Sequence, residues 1–307
     1  LNIIYNNKNI SLKGEGNIIL KDGEDQINYL INKNNKDLII KSELFLKNVN
    51  LKRKNLLQIY FPEINEKINF KNQRLKIEYK NKNLSISGSG KLKIEKNFED
   101  IEFFFIKKSN IIGFNTNLNL KNTKFKIDDI NYEKKNKTNL LLSIKGNVNN
   151  NNNLNIENLL ISEKNNKIEI INLDLNNINQ IIKVDQANFE YIDIENKKNI
   201  FSIKNIKDSK YKIKGTKFNA NSLISDLLKN KKKMKIFEKN LNVDLDINEV
   251  FIDQIYLVKN LKGNLKIKNN KVFEADLFGY FDESKNINFT ISTNEYGEKI
   301  TNLFSSK

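Results

Sequence analysis

Leu241-Asn242-Val243-Asp244-Leu245-Asp246-Ile247-Asn248 puts an apolar side chain at every odd position and a polar one at every even position. Period two is the mark of an extended strand, because successive side chains point to opposite faces of a sheet. The reading holds on both sides of this stretch. Leu265 and Ile267 alternate with Lys266 and Lys268, and Ile287, Phe289 and Ile291 repeat the pattern. Towards the N-terminus, Leu140, Leu142 and Ile144 share one parity, as do Leu118 and Leu120. Leu84, Ile86, Leu92 and Ile94 likewise share one parity, with Gly88 and Gly90 between them. Clusters of Asn, Lys, Asp and Gly separate the runs and read as turns.

Counting runs and turns predicts on the order of 20–25 strands of ordinary length. Short connections favour antiparallel pairing, and the absence of regular helical crossovers argues against a parallel α/β sheet. An open sheet of more than about ten strands curls or splits. The expected fold is therefore mostly β: a long antiparallel meander curled into an elongated open groove, apolar inside and Lys/Asn-rich outside. A closed membrane barrel is disfavoured, since the apolar positions are Ile and Leu without aromatic girdles.

Four features depart from plain alternation. Leu223, Ile224, Leu227 and Leu228 have helical spacing, with Asn219, Asn221 or Ser222 as caps, and predict one short amphipathic helix near 219–231. Pro62 ends an apolar run without clean period and marks a loop or edge. Phe103-Phe104-Phe105-Ile106 is too continuous for a half-wet strand and predicts burial on both faces or a bulge. The pattern apolar-x-apolar-x-Gly recurs, ending at Gly14, Gly88, Gly146 and Gly215, at spacings too irregular for a solenoid. A glycine kink where the sheet bends accounts for it.

Composition narrows the chemistry. The 307 residues contain no His and no Cys, which removes Ser-His-Asp and Cys-His nucleophile systems and the usual zinc ligands. No catalytic residue, metal site or cofactor is expected. Asp244 and Asp246 share a wet strand face without a partner base, which alternation alone explains. The net charge of +16 comes from 53 Lys and Arg against 37 Asp and Glu, nearly all of the cations being Lys and spread along the chain. Nucleic-acid binding needs basic residues gathered on one face, so it is not expected. Lys, Asn and Ile are the residues of AT-rich codons, and much of the charge reads as codon bias on wet strand faces. No apolar run is long enough for a membrane-spanning helix. The chain opens on Leu1, and the reading expects an internal piece of a longer protein.

The last third carries a family resemblance. After the helical segment come Leu241 to Ile247, then Val250-Phe251-Ile252, then Leu257-Val258-Lys259-Asn260-Leu261-Lys262-Gly263-Asn264-Leu265, then Val272 to Gly279. This order resembles the C-terminal region of the AsmA-like superfamily, of the YhdP and TamB type, over about 70 residues. The resemblance implies a repeating β-groove protein of a Gram-negative-type envelope, periplasmic and anchored in the inner membrane through an upstream segment. It implies residues 1–215 as meander and residues 216–307 as a helix plus AsmA-like β segment continuous with it. It further implies non-enzymatic phospholipid transfer between the inner and outer membranes, with acyl chains as the partner. The expected groove-face residues are Leu84, Ile86, Leu92, Ile94, Leu118, Leu120, Leu140, Leu142, Ile144, Val243, Leu245, Leu265, Ile267, Phe289 and Ile291. The competing expectation is a structural or adhesive β-rich surface protein with a closed core.

Overall fold

The computed structural model describes residues 1–6, 9–19, 24–34, 36–54, 57–149, 151–221, 237–269, 271–282, 285–294, 296 and 298–305. The chain is mostly β, with 21 strands among the described residues, inside the number expected from alternation. In order these are β1 (Asn2–Asn6), β2 (Asn9–Ile19), β3 (Glu24–Lys33), β4 (Leu38–Lys52), β5 (Lys67–Lys80), β6 (Asn83–Lys93) and β7 (Phe98–Lys108). Next come β8 (Ile111–Leu120), β9 (Lys126–Ile127), β10 (Tyr132–Glu133), β11 (Leu140–Val148), β12 (Leu154–Glu163), β13 (Asn166–Leu175) and β14 (Ile181–Ile192). The last are β15 (Lys198–Lys207), β16 (Lys210–Asn219), β17 (Leu241–Phe251), β18 (Leu257–Lys268), β19 (Lys271–Tyr280), β20 (Asn286–Thr293) and β21 (Lys299–Ser305). One helical turn, α1 (Leu57–Tyr60), precedes the loop that holds Pro62.

The chain divides into two compact units, Leu1–Lys126 with Lys134–Asn152, and Ile127–Glu133 with Asn153–Lys307. In the first unit β1 to β8 pair in sequence, each antiparallel to the next, and β11 pairs antiparallel with β8. In the second, β12 to β16 and β17 to β21 are antiparallel runs. Between them β16 and β17 pair in parallel, with Ile213 opposite Leu245. The meander expected to be wholly antiparallel is interrupted there for a geometric reason. A parallel partner is reached only by a crossover of a dozen or more residues. Residues 220–240 form the longest connection in this unit, and they contain the stretch with helical spacing. The helix expected over 219–231 lies, beyond Asn221, outside the described residues; at its start the Asn219 side-chain oxygen accepts the Asn221 N–H at 3.2 Å.

Register shifts interrupt several strand pairs, and two of them coincide with residues of positive φ inside a strand. β5 slips by one residue against β6 between Lys71 and Arg74, where Asn72 has φ 52°. β18 slips against β19 between Lys259 and Lys262, with Asn260 at φ 52° and Gly263 at φ 147°. These are β-bulges, and the second is built from the Asn260-Leu261-Lys262-Gly263 stretch of the resemblance. The phenylalanine run is regular instead. Phe103 and Phe105 lie on one face of β7 and Phe104 on the other, and Phe104 and Phe105 are 41% and 39% exposed. Expected burial on both faces fails because nothing among the described residues covers the outer face of β7.

Candidate functional site

Pairing registers decide which side chains share a face, since partners on neighbouring strands point the same way. In the first unit the partners Gly16, Ile27, Leu44, Leu75, Gly88, Phe103, Thr116 and Ile144 follow one another across eight strands. In the second the row runs Leu159, Ile170, Ala187, Ile203, Ile213, Leu245, Gly263, Leu277, Phe289 and Leu303 across ten. Each unit thus carries an apolar stripe running across its strands. At about 4.8 Å per strand the stripes are about 34 and 43 Å long.

The expected groove residues fall on these faces. Leu84, Ile86, Leu92, Leu118, Leu120, Leu140, Leu142 and Ile144 lie on the apolar face of the first unit, and Ile94 continues the parity of β6. Val243, Leu245, Leu265, Ile267, Phe289 and Ile291 lie on the apolar face of the second. Their surroundings differ. Leu92, Ile94, Leu118, Leu120, Leu140 and Val243 are buried, with Leu120 and Leu140 at 0% exposure, whereas Leu84, Ile86, Leu142, Ile144 and the other five are half-buried.

The first unit's apolar face is graded along its strands. At one end residues 57–66 fold back as a plug. Phe61, Ile64 and Phe125 are buried there, Phe61 and Phe125 meet at 5.4 Å, and the Asn65 N–H donates to the Ile94 carbonyl at 2.9 Å. Glu99, on the apolar face of β7, accepts the N–H groups of Lys121, Asn122 and Thr123 at 2.7–2.8 Å and the Thr123 hydroxyl at 2.9 Å. A carboxylate so supplied with donors tolerates burial. Eight residues along β8, about 26 Å, Ile112 is 43% exposed on the same face, and Phe105 beside it is 39% exposed.

The second unit closes one end in the same manner. Ile127–Glu133 belongs to it, and Tyr132, fully buried, donates its hydroxyl to Glu163 at 2.8 Å. Asn166 donates to the same carboxylate at 3.2 Å. Burial and then the Glu163 carboxylate raise the Tyr132 hydroxyl above the ordinary tyrosine range, so it remains a donor. Tyr191 meets Tyr132 edge-on at 5.9 Å and donates to the Ile130 carbonyl at 2.8 Å. Glu99 and Glu163 were readable in the sequence as carboxylates standing in the apolar parity of their strands.

The glycine motif has a different cause from a kink. Gly14 pairs with Tyr29, Gly88 with Phe103, Gly146 with Phe114 and Gly215 with Phe201. Each recurrent glycine faces an aromatic residue across the strand pair. A Cβ on Gly14 would overlap the Tyr29 ring, and one on Gly88 the Phe103 ring. Gly14 and Gly88 make room for a ring to lie over them, a known way of covering a strand glycine, whereas a Cβ on Gly215 would meet the Ile200 carbonyl and the Phe201 Cβ.

On the wet face Asp244 accepts from Asn264 at 2.8 Å and pairs with Lys210 at 3.1 Å, and Asp246 faces Lys262 at 3.7 Å. The Asn264 hydrogen bond and Lys210 hold Asp244 below the usual carboxylate range. Each aspartate is committed to its own lysine, and the two do not act as a pair. Among the described residues no helix is long and apolar enough to cross a membrane, and no group of three His, Cys, Asp or Glu is placed to hold a metal ion. Comparison with protein-family models, with curated proteins and with solved structures gave no match.

Proposed function

We propose that the apolar faces hold the acyl chains of phospholipid, and that the protein is a non-enzymatic lipid-conducting β-groove of the AsmA-like kind in a bacterial envelope, passing phospholipid between inner and outer membranes. The observation that carries this is the unbroken row of ten apolar or glycine partners in the second unit, beside a row of eight in the first that only Thr116 interrupts. Half of a bilayer's hydrocarbon core is about 15 Å thick, so a stripe of about 34 Å accommodates an extended acyl chain. A row that kept Ile, Leu and Phe half-buried for packing alone would leave apolar surface in water, which soluble proteins limit. The mechanism needs no reacting group: a chain slides along a wall of uniform character, and the flat rings over glycines keep that wall free of steps.

The plugged ends favour a second reading at their own positions. Leu92, Ile94, Leu118, Leu120 and Leu140 are buried by the protein itself and act as ordinary core. Photo-crosslinking separates the roles. A photoreactive residue at Ile86, Ile144 or Phe289 captures phospholipid in cells, detected by mass spectrometry, and one at Leu120 or Leu140 captures none. Failure at all sites, with protein that purifies free of lipid, supports the structural or adhesive alternative and ends the conduit proposal.

A further inference from the structure

The wet face of the first unit holds a concavity of about 680 Å³, lined by Lys47, Lys67, Lys71 and Lys93, by five asparagines and by Phe98. Among the described residues no carboxylate lines it. The volume is that of a small-molecule site. The bulge at Asn72 bends β5 at this point, and the registers set Asn48 beside Lys71, Asn69 beside Lys93, and Lys93 beside Phe98.

Charge distinguishes this place from the rest of the wet face. Lys41 faces Glu78 at 3.7 Å, Lys76 faces Glu43 at 3.6 Å and Lys91 pairs with Asp100 at 2.5 Å. The comparable concavity of the second unit, about 610 Å³, mixes Lys167 and Lys214 with Glu169, Glu190 and Asp246. Lys47, Lys67, Lys71 and Lys93 have no carboxylate partner among the described residues. Two of them are gathered on one ring: the Lys71 and Lys93 ammonium groups stand 5.4 and 5.7 Å from the centre of Phe98. The Asn69 amide donates to the side-chain oxygens of Asn48 and Asn50, which uses acceptors within the wall itself.

We propose that this concavity is an anion site for a phosphate-bearing polyanion. Four unneutralised ammonium groups around one small volume repel each other, and a ligand with several negative oxygens relieves that repulsion. Lysine suits phosphate as a point charge, while the scarcity of arginine disfavours planar bidentate carboxylate recognition. The site is compact and does not extend as the basic track with stacking rings that single-stranded nucleic acid needs. The phosphate belongs either to a soluble ester or to the head of an anionic lipid. The inference is independent of the acyl-chain reading, because it uses the opposite face of the sheet.

Titration calorimetry of the full chain with inorganic tripolyphosphate, beside flotation with phosphatidylcholine vesicles with and without phosphatidic acid, tests it. Saturable one-to-one binding of tripolyphosphate is expected. The Lys71→Gln/Lys93→Gln variant weakens it by about tenfold or more, as loss of two charge-assisted hydrogen bonds requires. Phe98→Leu weakens it less. Lys41→Gln/Lys76→Gln removes the same charge from paired wet-face lysines and leaves affinity within about twofold. Binding only to phosphatidic acid vesicles, lost in the first variant and kept in the control, supports the site and assigns the phosphate to a lipid. Equal losses in both double variants, binding to neither probe, or tighter binding of a single-stranded oligonucleotide overturns the proposal.

Discussion

At the scale of single residues, asparagine and glycine divide a labour that glycine usually performs alone. Nine of the fifteen non-glycine residues with positive φ among the described residues are Asn, and only Gly263 among the glycines has such a φ. Asn is the side chain that best tolerates the left-handed region, through local hydrogen bonding of its short amide. The 58 asparagines that read as codon bias therefore also supply turns and bulges, and leave glycine for other uses, among them places where a side chain has no room. Gly88 is the clearest such place. Gly88→Ala pushes a methyl into the Phe103 ring and towards Leu75, 2.7 Å from the added carbon, and is expected to cost about 1–3 kcal/mol, as overpacking does. Gly16→Ala meets nothing within 4 Å and is expected to be neutral within about 0.5 kcal/mol. Phe103→Leu recovers much of the Gly88→Ala loss in a double-mutant cycle followed by urea unfolding. Additive losses would mean that the ring is not what the glycine accommodates.

At the scale of elements, legibility follows the range of the forces involved. Alternation is local, so residues such as Leu118, Leu120, Val243 and Leu245 could be assigned to one face from the chain alone, and the registers agree. The facing of Gly88 and Phe103 became visible only once the hairpin between β6 and β7 was placed, although the two stand fifteen residues apart. The plugs were not legible. Nothing in Leu57 to Pro62 or Ile127 to Glu133 says which apolar end each will cover, because that contact is long-range and has no period. Likewise the unneutralised lysines looked like any others until three strands, β4, β5 and β6, brought them together, the one local sign being that Lys67-Ile68-Asn69-Phe70-Lys71 contains no acid. The second plug gives the test at this scale. Tyr132→Phe removes a hydroxyl that supplies the buried Glu163, so a loss of about 1–3 kcal/mol is expected. Tyr191→Phe frees only a backbone carbonyl and is expected to cost about 1 kcal/mol. Thermal unfolding of both variants ranks them; an equal or reversed order would show that Glu163 does not depend on the clasp.

For the whole molecule, the question is what holding 53 cationic side chains on one chain does to stability. The carboxylates that pair with them on the wet faces are largely exposed, as at Lys76 and Glu43, 78% and 63% exposed, so single pairs add little and salt screens them. Their collective role is to hold the net charge at +16. Asp244, Asp185 and Glu63 lie below their usual ranges, held by Asn264 and Lys210, by Lys183 and Asn172, and by Lys124. A depressed carboxylate contributes stability above its unfolded pKa, and that stability is lost as pH falls through the folded value. Glu95 works against them: burial raises it, so acid relieves its charged form. Three depressed groups and the loss of every negative charge outweigh one raised group, and the protein is expected to unfold below about pH 4, where carboxylates protonate. Salt gives the complementary sign. Because self-repulsion of a chain at +16 opposes compactness more than exposed pairs favour it, raising ionic strength at neutral pH is expected to raise Tm, and to raise it more at pH 4. Scanning calorimetry across pH and sodium chloride concentration checks both slopes. A Tm that fell with salt would show that the wet-face pairs, rather than the apolar rows and their plugs, hold these sheets together.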